Sequence, residues 1–348
     1  MEREPIVDWL LEPDNPPVRL LTLTRLLDRP ETDDEVQETR THLMDYSVTQ
    51  GILAHSEEIW NSGPRSFWSY KGKHWNTTYL GQFLADGQDP RIAPGVQTLI
   101  EGCSWVPSNS FHCMAACMLA AFRRLGYGGH PVVVRETEAL ATRFLEAGGI
   151  NCRAIDNSLL SHCYMALPKL LLSFAEIPPA ERSAAQQAAI DAIVLELLAQ
   201  QVYVYVPGNS QAWQAMRKQL PRKRADLPEG ETRQSWTAKA RAQFLAEHGM
   251  GERLPKPSWT RFGFPLNYNS DALEAMVALA TAGAPMDAAL EKALQLIRDK
   301  RAADGTWRME KSLNGQMWAD VEVKGAPSKW ITYFALFVLE HFEAGASV

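Results

Sequence analysis

Three short runs hold most of the side chains able to act as nucleophiles or metal ligands. They are Phe111-His112-Cys113, with Cys117 one helical turn further on, Asn151-Cys152-Arg153, and Ser161-His162-Cys163. Thiolate sulfur and imidazole nitrogen are favoured zinc ligands, and three protein ligands leave the fourth tetrahedral position for water or a substrate thiol. Cys113, Cys152 and His162 are therefore expected to share a zinc ion. No Cys-x-x-Cys pair occurs, so this expectation rests on placement in the fold and not on spacing. Two other readings stay open. In one, the cysteines are small buried apolar residues and His162 is a capping side chain. In the other the site is metal-free: Cys163 or Cys113, at a helix start, has a lowered pKa, and His162, His112 or His74 serves as acid or base.

Two further residues suit acid–base work. Asp271, which follows Phe264-Pro265-Leu266-Asn267-Tyr268, is the best-placed carboxylate, and Tyr268 stands just before it. Asp271 would equally suit the first turn of a helix, where negative charge is favoured. Trp75, Tyr79, Tyr164, Trp259, Trp330 and Tyr333 fall near expected helix starts. Aromatic faces there would line a cavity for an apolar molecule, or simply fill the interior. The basic run Arg217, Lys218, Arg222, Lys223, Arg224 suits a phosphate, or a solvated loop.

The elements that must position these residues are helices of two kinds. Phe111 to Phe122, Tyr164 to Phe174, Leu273 to Ala280 and Trp330 to Leu339 are apolar nearly all round, and such helices have to be enclosed. Others are amphipathic, with stripes at Val133, Thr137, Leu140, Ala141, Phe144 and Leu145, and at Leu290, Ala293, Leu294 and Ile297. The two kinds alternate. Gly87, Gly126 and Gly283 end enclosed segments, and Pro90, Pro131 and Pro285 open the next helices, an asymmetry typical of helix ends. A step of about 40 residues between such turns is the footprint of a helical-hairpin repeat. Turns at Gly148-Gly149 and Asp304-Gly305-Thr306-Trp307 then bring the chain back inward. If all inner helices run one way, their N-termini share a rim that favours anions and thiolates. Val202 to Val206 alternates like a short strand inside these helical surroundings.

Composition bounds the rest. The chain has 348 residues, 46% hydrophobic and 22% charged, enough for a large core. Proline and glycine are spread along it and mark no linker, so one domain over residues 1–348 is expected. A net charge of -6 and a pI near 5.8 argue against a nucleic-acid surface. Five cysteines, an odd number, suit a reducing compartment. Met1 to Leu11 carries Glu2, Glu4 and Asp8 and does not look like a signal peptide. With no stretch long enough to span a membrane, a cytoplasmic protein is expected.

The alternating helices, the repeat length and the Asp-Gly-Thr-Trp turn resemble the α/α toroid shared by triterpene cyclases and protein prenyltransferase β subunits. Pro17-Val18-Arg19, Trp259 to Asp271 and Pro327-Ser328-Lys329-Trp330 are similar to bacterial proteins described as prenyltransferase-like or squalene-cyclase-like. The resemblance implies an all-α toroid of inner and outer helices. It also implies that Ser161-His162-Cys163-Tyr164-Met165-Ala166-Leu167 supplies a histidine zinc ligand and that Cys113 supplies a cysteine ligand. The prenyltransferase pattern has an aspartate two residues before that cysteine. Phe111 stands there instead, and Cys152 is the candidate replacement. The acidic Asp-x-Asp-Asp motif of the hopene-type cyclases is absent, which excludes cyclisation started in their manner.

The function expected from these readings is a zinc-dependent transferase or lyase acting on an apolar or isoprenoid-like substrate. A metal-free Cys/His enzyme of the dehydratase or isomerase type and a non-catalytic lipid-binding or scaffold protein are the rivals.

Overall fold

A helix that is apolar on every side is stable only if other elements enclose it, and that requirement organises this chain. The computed structural model describes residues 5–102, 112–149, 159–160, 163–221 and 223–344. It is mostly helical; the strands named among the described residues are the antiparallel pair Val206–Pro207 and Arg253–Leu254. Ten helices build and buttress the interior. They are α1 (Pro16–Leu21), α2 (Lys73–Gln82), α3 (Ala93–Glu101), α4 (His112–Phe122), α5 (Pro131–Glu146), α6 (Leu167–Ala175), α7 (Ala184–Ala199), α8 (Ala272–Thr281), α9 (Glu291–Asp299) and α10 (Lys329–Ala344).

The even-numbered helices α2, α4, α6 and α8 are the enclosed ones. Every residue of α6 is buried, and in α4 the one exception is Cys117. The odd-numbered α5 and α9 bury one stripe each, Val133, Leu140, Ala141 and Phe144 in the first and Ala293, Leu294 and Ile297 in the second. Packing follows the alternation. Helix α2 lies against α4, α4 against α6, α6 against α8 and α8 against α10. Helix α10 in turn meets α1 and the π-helical turn Thr22–Leu26 that extends it. Of the odd helices, α5 rests on α4, α7 on α5 and α6, and α9 on α8. One hydrophobic cluster runs through all the even helices, and a small separate one forms around Trp213 and Phe244.

The hairpin turns largely obey the expected chemistry. Gly126 (φ 89°) and Gly283 (φ 72°) take the left-handed conformation that ends a helix at little cost to glycine. The first turn differs. Its left-handed residue is Leu84 (φ 55°), a conformation that costs a residue with a Cβ roughly 1–2 kcal/mol. Gly87 is required for space instead, because a Cβ there would sit 2.0 Å from the Leu125 carbonyl oxygen. The stretch 202–206, whose alternation is strand-like, forms neither a helix nor a full strand. Gln201 and Val202 are both left-handed (φ 44° and 66°), and Val206 alone of this run pairs, with Leu254.

Among the described residues, no helix is long and apolar enough to cross a membrane.

Close approach of α2 to α4 depends on Gly81, where a Cβ would meet the Ala121 Cα at 2.8 Å. Gly81→Val should therefore lower unfolding free energy by about 1–3 kcal/mol, the usual cost of overpacking, read as a lower urea midpoint at unchanged slope. An unchanged midpoint would show that the two backbones do not touch there.

Candidate functional site

The enclosed helices bring ionisable side chains into the interior, where a charge survives only beside its opposite. Lys169, in the first turn of α6, places its Nζ 2.9 and 3.1 Å from the two carboxylate oxygens of Glu274 on α8, and 2.7 Å from Ser270 Oγ. Both charged side chains are 2% exposed. Burial opposes the lysine's charge, but Glu274 together with smaller electrostatic neighbours holds the ammonium above its ordinary pKa, while burial raises the Glu274 carboxyl in spite of Lys169. Cys113 and Cys117 lie one turn apart on α4, close to Lys169. Cys117 is partly accessible, yet burial pushes its thiol up to about 12 against the pull of Lys169. It is a thiol at neutral pH, not a ready thiolate.

One or two turns further along the same helices the polar side chains open onto a cavity of about 190 Å³. Its apolar wall includes Leu21, Leu172, Val277, Phe264, Trp330 and Phe334, with the Phe264 and Trp330 rings stacked 4.0 Å apart. Its polar edge includes Arg25, Arg123, Arg124 and Glu176. Arg124 Nε lies 3.0 Å from each Glu176 oxygen, and its Nη2 also reaches that carboxylate. Arg123 donates to the Ser173 carbonyl at 2.8 Å. The cavity thus takes wall residues from α4's end, α6, α8 and α10, from Gln82 and Leu84 at the end of α2, and from the α1 region.

Of the residues singled out in the sequence, Cys152 and His162, with Phe111, lie outside the described residues. Cys113 is buried in the first turn of α4. Cys163 is buried at the entrance of the 3₁₀ turn Tyr164–Ala166 that leads into α6, and α4 packs against that turn. Asp271 is the N-cap of α8: Oδ1 accepts from the Glu274 amide at 3.0 Å and Oδ2 from the Gly263 amide at 3.1 Å. Lys311 Nζ stands 3.3 Å from Oδ2, so the carboxylate is engaged on both oxygens. Tyr268 is half-buried and packs against the main cluster. Asp271 lines a separate recess with Lys311 and Tyr70.

The histidines differ from a ready acid–base pair. Burial lowers His74 to about 3, and burial together with Arg143 lowers His112. Both rings are therefore neutral at physiological pH. Of the basic run, Lys223 and Arg224 are exposed, Arg222 lies outside the described residues, and Arg217 and Lys218 border a surface recess with Arg233. Among the described residues, no three His, Cys, Asp or Glu side chains group as a metal ion would need.

Lys169, Glu274, Arg123, Arg124 and Glu176 were not among the candidates read from sequence. A signal for the first two existed: each is a lone charge inside an otherwise apolar run, and buried charge is rare without a partner. Comparison with protein-family models, with curated proteins and with solved structures gave no match, so no residue takes its role from a relative.

Removing one member of the Lys169–Glu274 pair strands the other in the core. Lys169→Met should cost about 3–5 kcal/mol, whereas Lys169→Met with Glu274→Leu should recover most of that loss. Additive losses in the double variant, measured by urea unfolding, would show that the two side chains do not meet.

Proposed function

We propose that the chain is an α/α toroid whose central cavity receives a small apolar molecule, isoprenoid-like in its hydrocarbon part. Two observations support the toroid: the enclosed helices pack in succession from α2 to α10 and on to α1, and a single cavity draws walls from all of them. That cavity carries the reading. Its 190 Å³ is below the roughly 300 Å³ at which pockets for drug-sized ligands begin, which fits a short chain or one end of a longer one. The aromatic wall of Phe264, Trp330 and Phe334 supplies the large apolar contact area that such a chain needs.

Binding of octanol and of geraniol, measured by calorimetry on delipidated protein, tests this. Both should bind, and Val277→Trp, which fills the cavity, should abolish binding while the protein stays folded by circular dichroism. Undiminished binding in that variant, or none in the parent, would contradict the proposal.

A zinc-dependent transferase or lyase is the second reading, with Cys113, Cys152 and His162 as ligands and the metal supplying Lewis acidity or an activated thiol. Its support is the packing of α4, which carries Cys113 in its first turn, against the turn that Cys163 enters. Against it stands Lys169, whose ammonium lies near Cys113 and would repel a cation there. Protein purified without added metal should contain about one zinc per chain, reduced in Cys152→Ala, if a three-ligand site exists. Metal-free protein whose stability is unaltered by Cys152→Ala would remove this reading.

A further inference from the structure

Resting on the cavity reading, we infer that the ligand carries an oxyanion head, a carboxylate or a phosphate monoester, held at the cavity edge by Arg25 and Arg123. The charged side chains that line the cavity are Arg25, Arg123, Arg124 and Glu176. The bidentate contact of Arg124 with Glu176 accounts for one guanidinium, and among the described residues the cavity lining holds no second carboxylate. A cation withdrawn from water is ordinarily paired, so half-buried Arg123 leaves this edge short of negative charge, and exposed Arg25 adds to the positive field.

A purely structural role accounts for part of what these arginines do. Arg123 donates to the Ser173 carbonyl near the end of α6, and Arg25 sits beside the Tyr333 hydroxyl. Cations near helix C-termini are favoured in any case. A guanidinium has five N–H donors, however, and the carbonyl of Ser173 uses one group of Arg123. Burial, with a smaller contribution from Arg124, also holds Arg123 below its ordinary pKa in spite of Glu176 and Glu181. The helix ends and carboxylates present do not fully compensate this cation. Gln82, a further polar group at the edge, is occupied, since its side chain exchanges both hydrogen bonds with the backbone of Leu266, and the Tyr333 hydroxyl is engaged with Arg25. The unspent donors at this edge belong to the arginines, and their planar fork matches an oxyanion.

Apolar walls next to unspent guanidinium donors define an amphipathic anion as the ligand class. A neutral alcohol would fill the apolar part and leave the cations as they are.

Calorimetry with octanoate, octyl phosphate and octanol distinguishes these cases. The better of the two anions should bind about tenfold or more tightly than octanol, the size of one charged hydrogen bond, and which anion leads identifies the head. Arg123→Gln and, separately, Arg25→Gln should each erase most of that gap while octanol binding stays unchanged. Arg25 is exposed, so its variant keeps the test available if Arg123→Gln unfolds. Equal affinity for octanol and both anions would overturn the inference and leave the cavity reading intact. A gap that persists in both variants would also overturn it. Failure of all three probes would overturn the cavity reading and this inference together.

Discussion

A lysine and a glutamate cannot stand charged in an apolar interior unless they face each other, and the contact of Lys169 with Glu274 fixes how α6 and α8 lie together. Such a pair contributes little net stability relative to well-packed apolar side chains. Its effect is on register: a slip by one turn would leave two bare buried charges, each costing several kcal/mol. With the register fixed, the next residues along both helices are determined. Leu172 lies one turn beyond Lys169 and Val277 one turn beyond Glu274, and both line the cavity. Glu176, one turn further along, meets Arg124 and ties α6 to the end of α4 in the same way. One buried and one half-buried ion pair thus align three enclosed helices, and the cavity wall is the surface that this alignment produces.

The interior divides into two chemical zones. Near the starts of α4 and α6 lie Cys113, Cys117, Lys169 and Glu274, a compensated cluster in which burial keeps the Cys117 thiol protonated. Toward the ends of α2, α4 and α6 lies the cavity, with surplus positive charge. The sequence points to the first zone, because cysteine and histidine advertise chemistry. The second zone carries the under-compensated charge and the open volume, which are the properties that favour a ligand.

Much of the architecture is legible because enclosure leaves a direct trace. The runs 111–122, 164–174 and 273–280 are apolar nearly all round; residues 112–122 form α4, 167–174 lie in α6 behind a 3₁₀ turn and 273–280 lie in α8, with the amphipathic α5 and α9 between or behind them. Gly126 and Gly283 announce their turns because left-handed backbone selects glycine. The turn after α2 departs in detail, since tertiary packing holds Leu84 in that conformation and Gly87 answers a steric demand from Leu125. The alternation at 202–206 is strand-like, but Gln201 and Val202 are left-handed and pairing begins only at Val206. At the site, sequence supplies the residue types and not the partners. Asp271 caps a helix, a role shared by many aspartates at helix starts. The arginines at helix ends look like ordinary solvated charge, because only tertiary contact reveals that they border one cavity.

The central claim is that the ends of α2, α4 and α6 and the start of α10 surround one ligand. Amide hydrogen exchange with and without octyl phosphate tests it directly. Added protection should appear together at residues near Leu84, Arg124, Glu176 and Tyr333, while the outer helices α5, α7 and α9 keep their rates. Protection confined to the starts of α4 and α6 around Cys113 and Cys163, or absent from one of the four segments, would contradict the account.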